Sequence, residues 1–214
     1  RWLAEEHPRA ALLAGVAGGL AASLDIGDVV VPLAHRAAAE MPLRGERAVD
    51  ARLEATLATA LSSAGIPALR GAFLTSARAL ATPQEKGAHG PDLVAVEMEG
   101  LAVATVLAET GVPFASLRTV LDPRRQALPD FSRARDGSGR GRIHLVPRAL
   151  LRRPRLLFEI LSFVTSAMRA QRSLERALVP VLPALVEALG ADPRHLERPG
   201  PRPHDGRHQR RNPR

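Results

Sequence analysis

The chain has 214 residues and 45% hydrophobic content, enough to bury one full core, and it contains no Cys, which excludes disulfides, thiolate metal sites and a cysteine nucleophile and fits a reducing cytoplasm. Its net charge of +8 is unevenly placed: residues 1–122 hold 10 basic and 14 acidic side chains, whereas residues 123–214 hold 20 and 8. Every basic side chain except Lys86 is Arg, and with no Tyr and one Trp there is no aromatic platform for stacking bases, so no nucleic-acid partner is expected.

The first residue is Arg rather than Met, and Arg1 to Glu6 reads as the end of a helix, so the chain is expected to be a piece of a longer protein. Residues 1–9 are charged and the apolar run up to Leu24 is interrupted by glycines, which is not a secretory signal. Ala10 to Gly15 reads as a strand running into a glycine turn, Gly15 to Leu20, and Asp28 to Pro32 as a short β-branched strand. Val49, Leu53, Leu57 and Leu61 give Ala48 to Ala64 the period of an amphipathic helix, which Gly65-Ile66-Pro67 ends. Leu69 to Thr75 is the next strand, and residues 93–98 and 114–121 are two further apolar runs separated by a helix, Leu101 to Glu109, and a turn at Gly111. This alternation implies an α/β fold.

Beyond Asp122 the composition shifts. Phe131 to Arg142 is rich in Gly, Arg and Ser and reads as a loop or the base of a lid. Pro154 opens a helix expected from about Arg155 to Ala170, and a second apolar segment, carrying Pro180 and Pro183, runs from Leu174 to Leu189. The uncharged stretches here are too short to span ~30 Å of hydrocarbon. The expected organisation is one domain over 1–190, with C-terminal helices at 148–190, and a disordered basic tail at 191–214.

The most informative residues are Val94-Ala95-Val96-Glu97-Met98-Glu99-Gly100 together with Arg118 and Asp122. Two apolar strands each end in acid, and in open α/β sheets ligands sit at the carboxyl ends of strands. A plainer reading stands beside this one: Glu99 lies near the start of a helix, where a negative charge is favoured without any ligand. Glu97, next to Met98 in a strand, is expected to point away from the Met98 face and to be structural.

Val-Glu-Met-Glu followed by Arg-Thr-Val-Leu-Asp, preceded by Gly15-Val16-Ala17-Gly18-Gly19-Leu20 and Gly27-Asp28-Val29-Val30-Val31-Pro32, resembles the ordered signature of the purine nucleoside phosphorylase and 5′-methylthioadenosine/S-adenosylhomocysteine nucleosidase superfamily. The resemblance implies a three-layer α/β sandwich with a central mixed sheet, its first strands lying upstream of Arg1. It also implies cleavage of an N-glycosidic bond through a transition state of oxocarbenium character. By the same resemblance Glu99 binds the ribose hydroxyls, Met98 packs on the sugar, and Asp122 serves purine N7 with a pKa raised by burial. Gly18 and Gly19 let the backbone approach the sugar, Arg118 supports the site by pairing with Asp122 or holding the sheet edge, and Leu80, after Thr75-Ser76, packs on the base. Glu97 is carried as a further substrate-side residue.

Phosphorylases of this superfamily place Arg and a hydroxyl at the glycine turn to hold phosphate, whereas Ala14-Gly15-Val16-Ala17 offers neither, which favours water as the nucleophile. The hydrolases take a glutamate general base from the first strand and loop, upstream of Arg1. The segment Leu-Arg-Arg-Pro-Arg-Leu-Leu at 151–157, with the helix after it, is similar to the hopanoid-associated branch, which releases adenine from adenosylhopane. A lipid-linked substrate would suit Arg-rich apolar helices resting on an anionic membrane surface. The expected partners are therefore a small nucleoside, water or phosphate as co-substrate, the inner face of the cytoplasmic membrane, and further copies of the chain, since the superfamily commonly assembles. Two alternatives stay open: phosphorolysis, and an inactive remnant that binds lipid. No cofactor is implied, and the seven His show no metal-ligand spacing.

Overall fold

The computed structural model describes residues 8–129 and 154–190. The Gly/Arg/Ser-rich stretch at 131–142 and the tail at 191–214 lie outside the described residues.

Among the described residues six strands and four helices follow in the order β1 (Ala11–Gly19), β2 (Val29–Ala37), β3 (Glu46–Ala48), α1 (Ala51–Ser63), β4 (Ala68–Thr75), α2 (Pro83–Gly87), β5 (Leu93–Glu97), α3 (Gly100–Glu109), β6 (Phe114–Asp122) and α4 (Pro154–Ala188). The sheet is mixed, in the order β3-β2-β4-β5-β1-β6. An additional antiparallel pairing, Val29 with Thr119 and Val30 with Arg118, joins β2 to β6 and closes the run of five strands from β2 to β6 on itself. Ala17, Val30, Phe73, Ala95 and Val120 pack together as one apolar cluster contributed by all five of these strands.

Helices cover the sheet on both faces. Alternate residues of β2 and β6, Val29, Val31, Ala115 and Leu117, meet Leu53, Leu57 and Leu61 of α1 and Ala177, Val181 and Leu185 of α4. Phe114 on the other face meets Ala104 and Leu107 of α3. α1 begins at Ala51 rather than Ala48 because the Asp50 side chain accepts from the Leu53 N–H at 2.9 Å and caps the helix there, while Glu46 to Ala48 pair with β2.

Two expectations from the sequence are corrected and one helix is added. The expected glycine turn is strand: β1 continues through Gly15, Gly18 and Gly19, paired in parallel with β6 from Ala11 opposite Phe114 to Gly18 opposite Asp122. The two expected C-terminal segments are one 35-residue helix with Pro180 and Pro183 inside it. An internal Pro costs about 3 kcal/mol, but Ala170, Ser173, Ala177, Val181 and Leu185 recur at helical spacing and are all buried, so packing of this face offsets the cost. Finally, α2 was not expected. It begins with a capping box, in which the Thr82 hydroxyl accepts from the Glu85 N–H and the Glu85 carboxylate accepts from the Thr82 N–H, with Pro in the first turn.

Candidate active site

The carboxyl-terminal ends of four strands converge. Thr75 of β4 is opposite Glu97 of β5, and Gly18 of β1 is opposite both Val96 of β5 and Asp122 of β6. Beside this junction lies a cavity of about 410 Å³, within the range that suits a small organic ligand. β1 lines it with Val16, Ala17 and Gly18, the loop after β4 with Arg78, Ala79 and Leu80, the end of β5 with Val96, Glu97, Met98 and Glu99, and β6 with Arg118, Leu121 and Asp122. Phe163 of α4 closes one side.

Glu97 is the best-satisfied group in the site. Its Oε1 accepts from the Thr75 hydroxyl at 2.5 Å and lies 3.4 Å from His35 Nδ1. Its Oε2 accepts from the backbone N–H groups of Glu99 at 2.8 Å and Gly100 at 2.6 Å, and from Arg118 Nη2 at 3.3 Å. Burial alone raises the pKa of such a carboxyl. Here the His35 and Thr75 side chains and the Glu99 N–H outweigh burial and hold it at about 2. The same two backbone contacts make Glu97 the acid that serves the start of α3, whereas Glu99, at the helix N-cap, makes no side-chain capping bond. The plainer reading of Glu99 as a cap therefore passes to Glu97. Glu97 does not point to solvent; it is buried, and it fixes the turn that carries Met98 and Glu99. These two remain half or more exposed at the cavity, with 52% of Met98 and 69% of the Glu99 side chain accessible.

Arg118 pairs with Glu97, and more distantly with Glu99 at 3.9 Å, and not with Asp122. Nor does it hold a sheet edge, since β6 is paired on both sides. Its guanidinium lies over Gly15, where an added Cβ would sit 2.2 Å from Nη1, so a side chain there would displace the guanidinium from this position. A cation is thus present beside the glycine strand after all, delivered by β6. Glu97 neutralises it.

Asp122 is buried beside Gly18, where an added Cβ would be in van der Waals contact with its oxygens, at 3.4 and 3.6 Å. Burial raises the Asp122 pKa above the usual carboxylate range, and the Lys86 ammonium, 2.5 Å from Oδ2, opposes that rise. Lys86 is the residue that sequence reasoning missed. Its signal was legible in Thr82-Pro83-Gln84-Glu85, a capping box that announces a short helix carrying the single Lys of the chain.

Gly19, expected near the sugar, is not among the cavity-lining residues; a Cβ added there would meet Pro123, Leu24 and Val120 instead. Thr75 and Ser76 likewise turn away from the cavity. Thr75 bridges Glu97 and the Leu101 N–H, and the Ser76 hydroxyl donates to Glu40. Leu80 is buried and does line the cavity. Among the described residues there is no cluster of three or more metal-ligating side chains, and no helix long and apolar enough to cross a membrane.

The sequence model of the phosphorylase superfamily matches residues 1–139. A 5′-methylthioadenosine/S-adenosylhomocysteine nucleosidase of Shewanella halifaxensis is 30% identical over 141 residues, which is 55% of this chain. The chain spans 58% of the length of that relative. Two solved structures share the fold at low identity. The Neisseria meningitidis 5′-methylthioadenosine/S-adenosylhomocysteine nucleosidase, in complex with methylthio-immucillin-A, is 20% identical with a TM-score of 0.61, covering 85% of this chain and 72% of its own. The futalosine hydrolase of Helicobacter pylori is 18% identical with a TM-score of 0.62, covering 85% and 70%.

Proposed function

The chain belongs to the phosphorylase superfamily, and from that premise we propose that it releases adenine from a 5′-substituted adenosine by cleaving the N-glycosidic bond. The observation that carries this reading is the convergence of Met98, Glu99 and Asp122 on one cavity at the joined strand ends. In this mechanism the exposed Glu99 carboxylate accepts from the ribose 2′ and 3′ hydroxyls, and Met98 packs against the sugar ring. As the bond from C1′ to N9 lengthens, its electron pair moves onto the base, and Asp122 supplies a proton to N7. A water oxygen bonds to C1′ on the opposite face and releases one proton to solvent, from which Asp122 regains the proton it gave, so that the products are free base and free sugar. Water is favoured over phosphate because Arg118, the cation beside the glycine strand, is already bound to Glu97.

The 5′ substituent is proposed to be apolar and bulky, as in adenosylhopane. α4 contributes Phe163 to the cavity, and the same stretch of helix exposes Phe158, Leu161, Val164 and Met168 at spacings of three or four residues. Such a stripe offers an apolar surface to the lipid part of a substrate or to the membrane that holds it.

The test is adenine release from 5′-methylthioadenosine and from adenosylhopane in lipid vesicles, each with and without phosphate. The proposal expects release without phosphate, faster with the lipid-linked substrate. Strict dependence on phosphate would make the enzyme a phosphorylase, and release of no base from either substrate would refute the assignment.

A further inference from the structure

Lys86 Nζ is enclosed by oxygen atoms: Asp122 Oδ2 at 2.5 Å, Gln126 O at 2.9 Å, Pro123 O at 3.0 Å and Asp122 O at 3.3 Å. The side chain is fully buried and Asp122 nearly so. An ammonium has three hydrogens to donate and no lone pair, and it meets acceptors only, so its hydrogen-bonding capacity is fully used. A buried charge pair of this kind rarely adds net stability over apolar packing of the same volume. The fold nonetheless builds a five-residue capped helix, α2, that carries the single lysine of the chain to this point. The turn after β6 is tied to the same helix by Arg124, which donates to the Gly87 carbonyl at 3.4 Å.

We propose that Lys86 is a positioning residue for Asp122: its ammonium occupies Oδ2, so that the proton exchanged with a departing base is carried on Oδ1. This rests on the nucleosidase reading above. A protonated Oδ2 would turn an O–H toward an N–H donor, which is repulsive, whereas Oδ1 has no hydrogen-bond partner among the described residues and is free to hold the proton. The ammonium thereby does two things that a neutral side chain would not. It fixes the rotation of the carboxylate, and it restrains the rise in the Asp122 pKa that burial produces. The neighbours on the remaining sides, Gly18 of β1 and Val96 of β5, are uncharged. Arg124 lies beyond Gly87 on the α2 side, and Arg78, Glu97, Glu99 and Arg118 line the same cavity.

The experiment measures adenine release from 5′-methylthioadenosine by the full-length protein and its K86M, K86R and D122N variants, with kcat and KM followed across pH and folding checked by circular dichroism. In K86M, kcat is expected to fall by about tenfold or more with KM changed by less than about threefold. The pH above which kcat declines should also move upward, because the cation that restrains the Asp122 pKa is gone. K86R keeps a cation and should hold that pH near its wild-type position while recovering part of kcat. A folded K86M with unchanged kcat, or with a lower kcat and an unmoved pH profile, overturns the proposal. If K86M does not fold, K86R decides: a shifted alkaline limb despite the retained cation overturns it, and an unshifted limb with lowered kcat supports it. Activity in the wild type that D122N abolishes and K86M retains would sink the role of Lys86 alone. An inactive wild type sinks the nucleosidase reading and this proposal with it.

Discussion

Replacing Glu97 by Gln tests whether this buried carboxylate holds the site together. Glu97 has five groups directed at it, and its side chain is 2% exposed, so solvent screening is slight. Two effects compete: burial disfavours the charge, while the His35, Thr75 and backbone contacts favour it, and the second wins, since the pKa falls from 4.5 to about 2. That interval corresponds to roughly 3 kcal/mol of folding stability. Because the folded pKa is depressed, this stability is fully present above about pH 4.5 and is lost as pH falls toward 2. Gln keeps the shape but puts an amide donor against groups that are themselves donors, and it leaves the Arg118 guanidinium buried without its nearest counter-charge. The expected result is a loss of about 3 kcal/mol at pH 7, read from urea denaturation followed by far-UV circular dichroism. The gap between the two proteins should narrow steadily as pH falls below about 4.5. Equal urea midpoints at pH 7, or a gap that stays constant down to pH 3, would refute the reasoning.

Three further outcomes are expected. Gly18→Ala puts a Cβ 3.1 Å from Val96 Cγ1 and within 3.6 Å of both Asp122 carboxylate oxygens; kcat for base release should fall about tenfold for a stability loss of about 1 kcal/mol, and an unchanged kcat would mean that the carboxylate does not need this space. Glu99→Gln should lower kcat/KM by roughly 10- to 100-fold, as removing a charged hydrogen-bonding partner does, while the urea midpoint stays put because the side chain is exposed; a fall in stability without a kinetic effect would return Glu99 to the role of a cap. Leu57→Ala empties a fully buried position where α1 meets the sheet and α4, so the urea midpoint should report a loss of about 2–5 kcal/mol, and a loss under about 1 kcal/mol would show that this core is loosely packed.

Local pattern was enough wherever one face of one element carried the signal. Leu53, Leu57 and Leu61 identify α1 by their spacing, and all three are buried. β5 begins with four consecutive apolar residues, Leu93 to Val96, all buried, so composition alone announces a buried strand there. The order of the motifs likewise told which family the chain belongs to, because Glu99 and Asp122 stand at strand ends whatever their partners are.

What pattern could not reach were choices made between elements distant in sequence. A glycine-rich stretch reads as a turn until the side chain that fills its space is known, and that side chain, Arg118 over Gly15, arrives from a strand 103 residues later. Two prolines read as a break in α4 until a buried face is seen to run past them. Glu97 and Glu99 are identical in type and two residues apart, so local pattern shows only that acids stand at this strand end. Folding separates them: Glu97 lies among five polar groups while Glu99 faces the cavity, because polar groups from β2, β4, α3 and β6 meet at one point in space and at no single place in the chain.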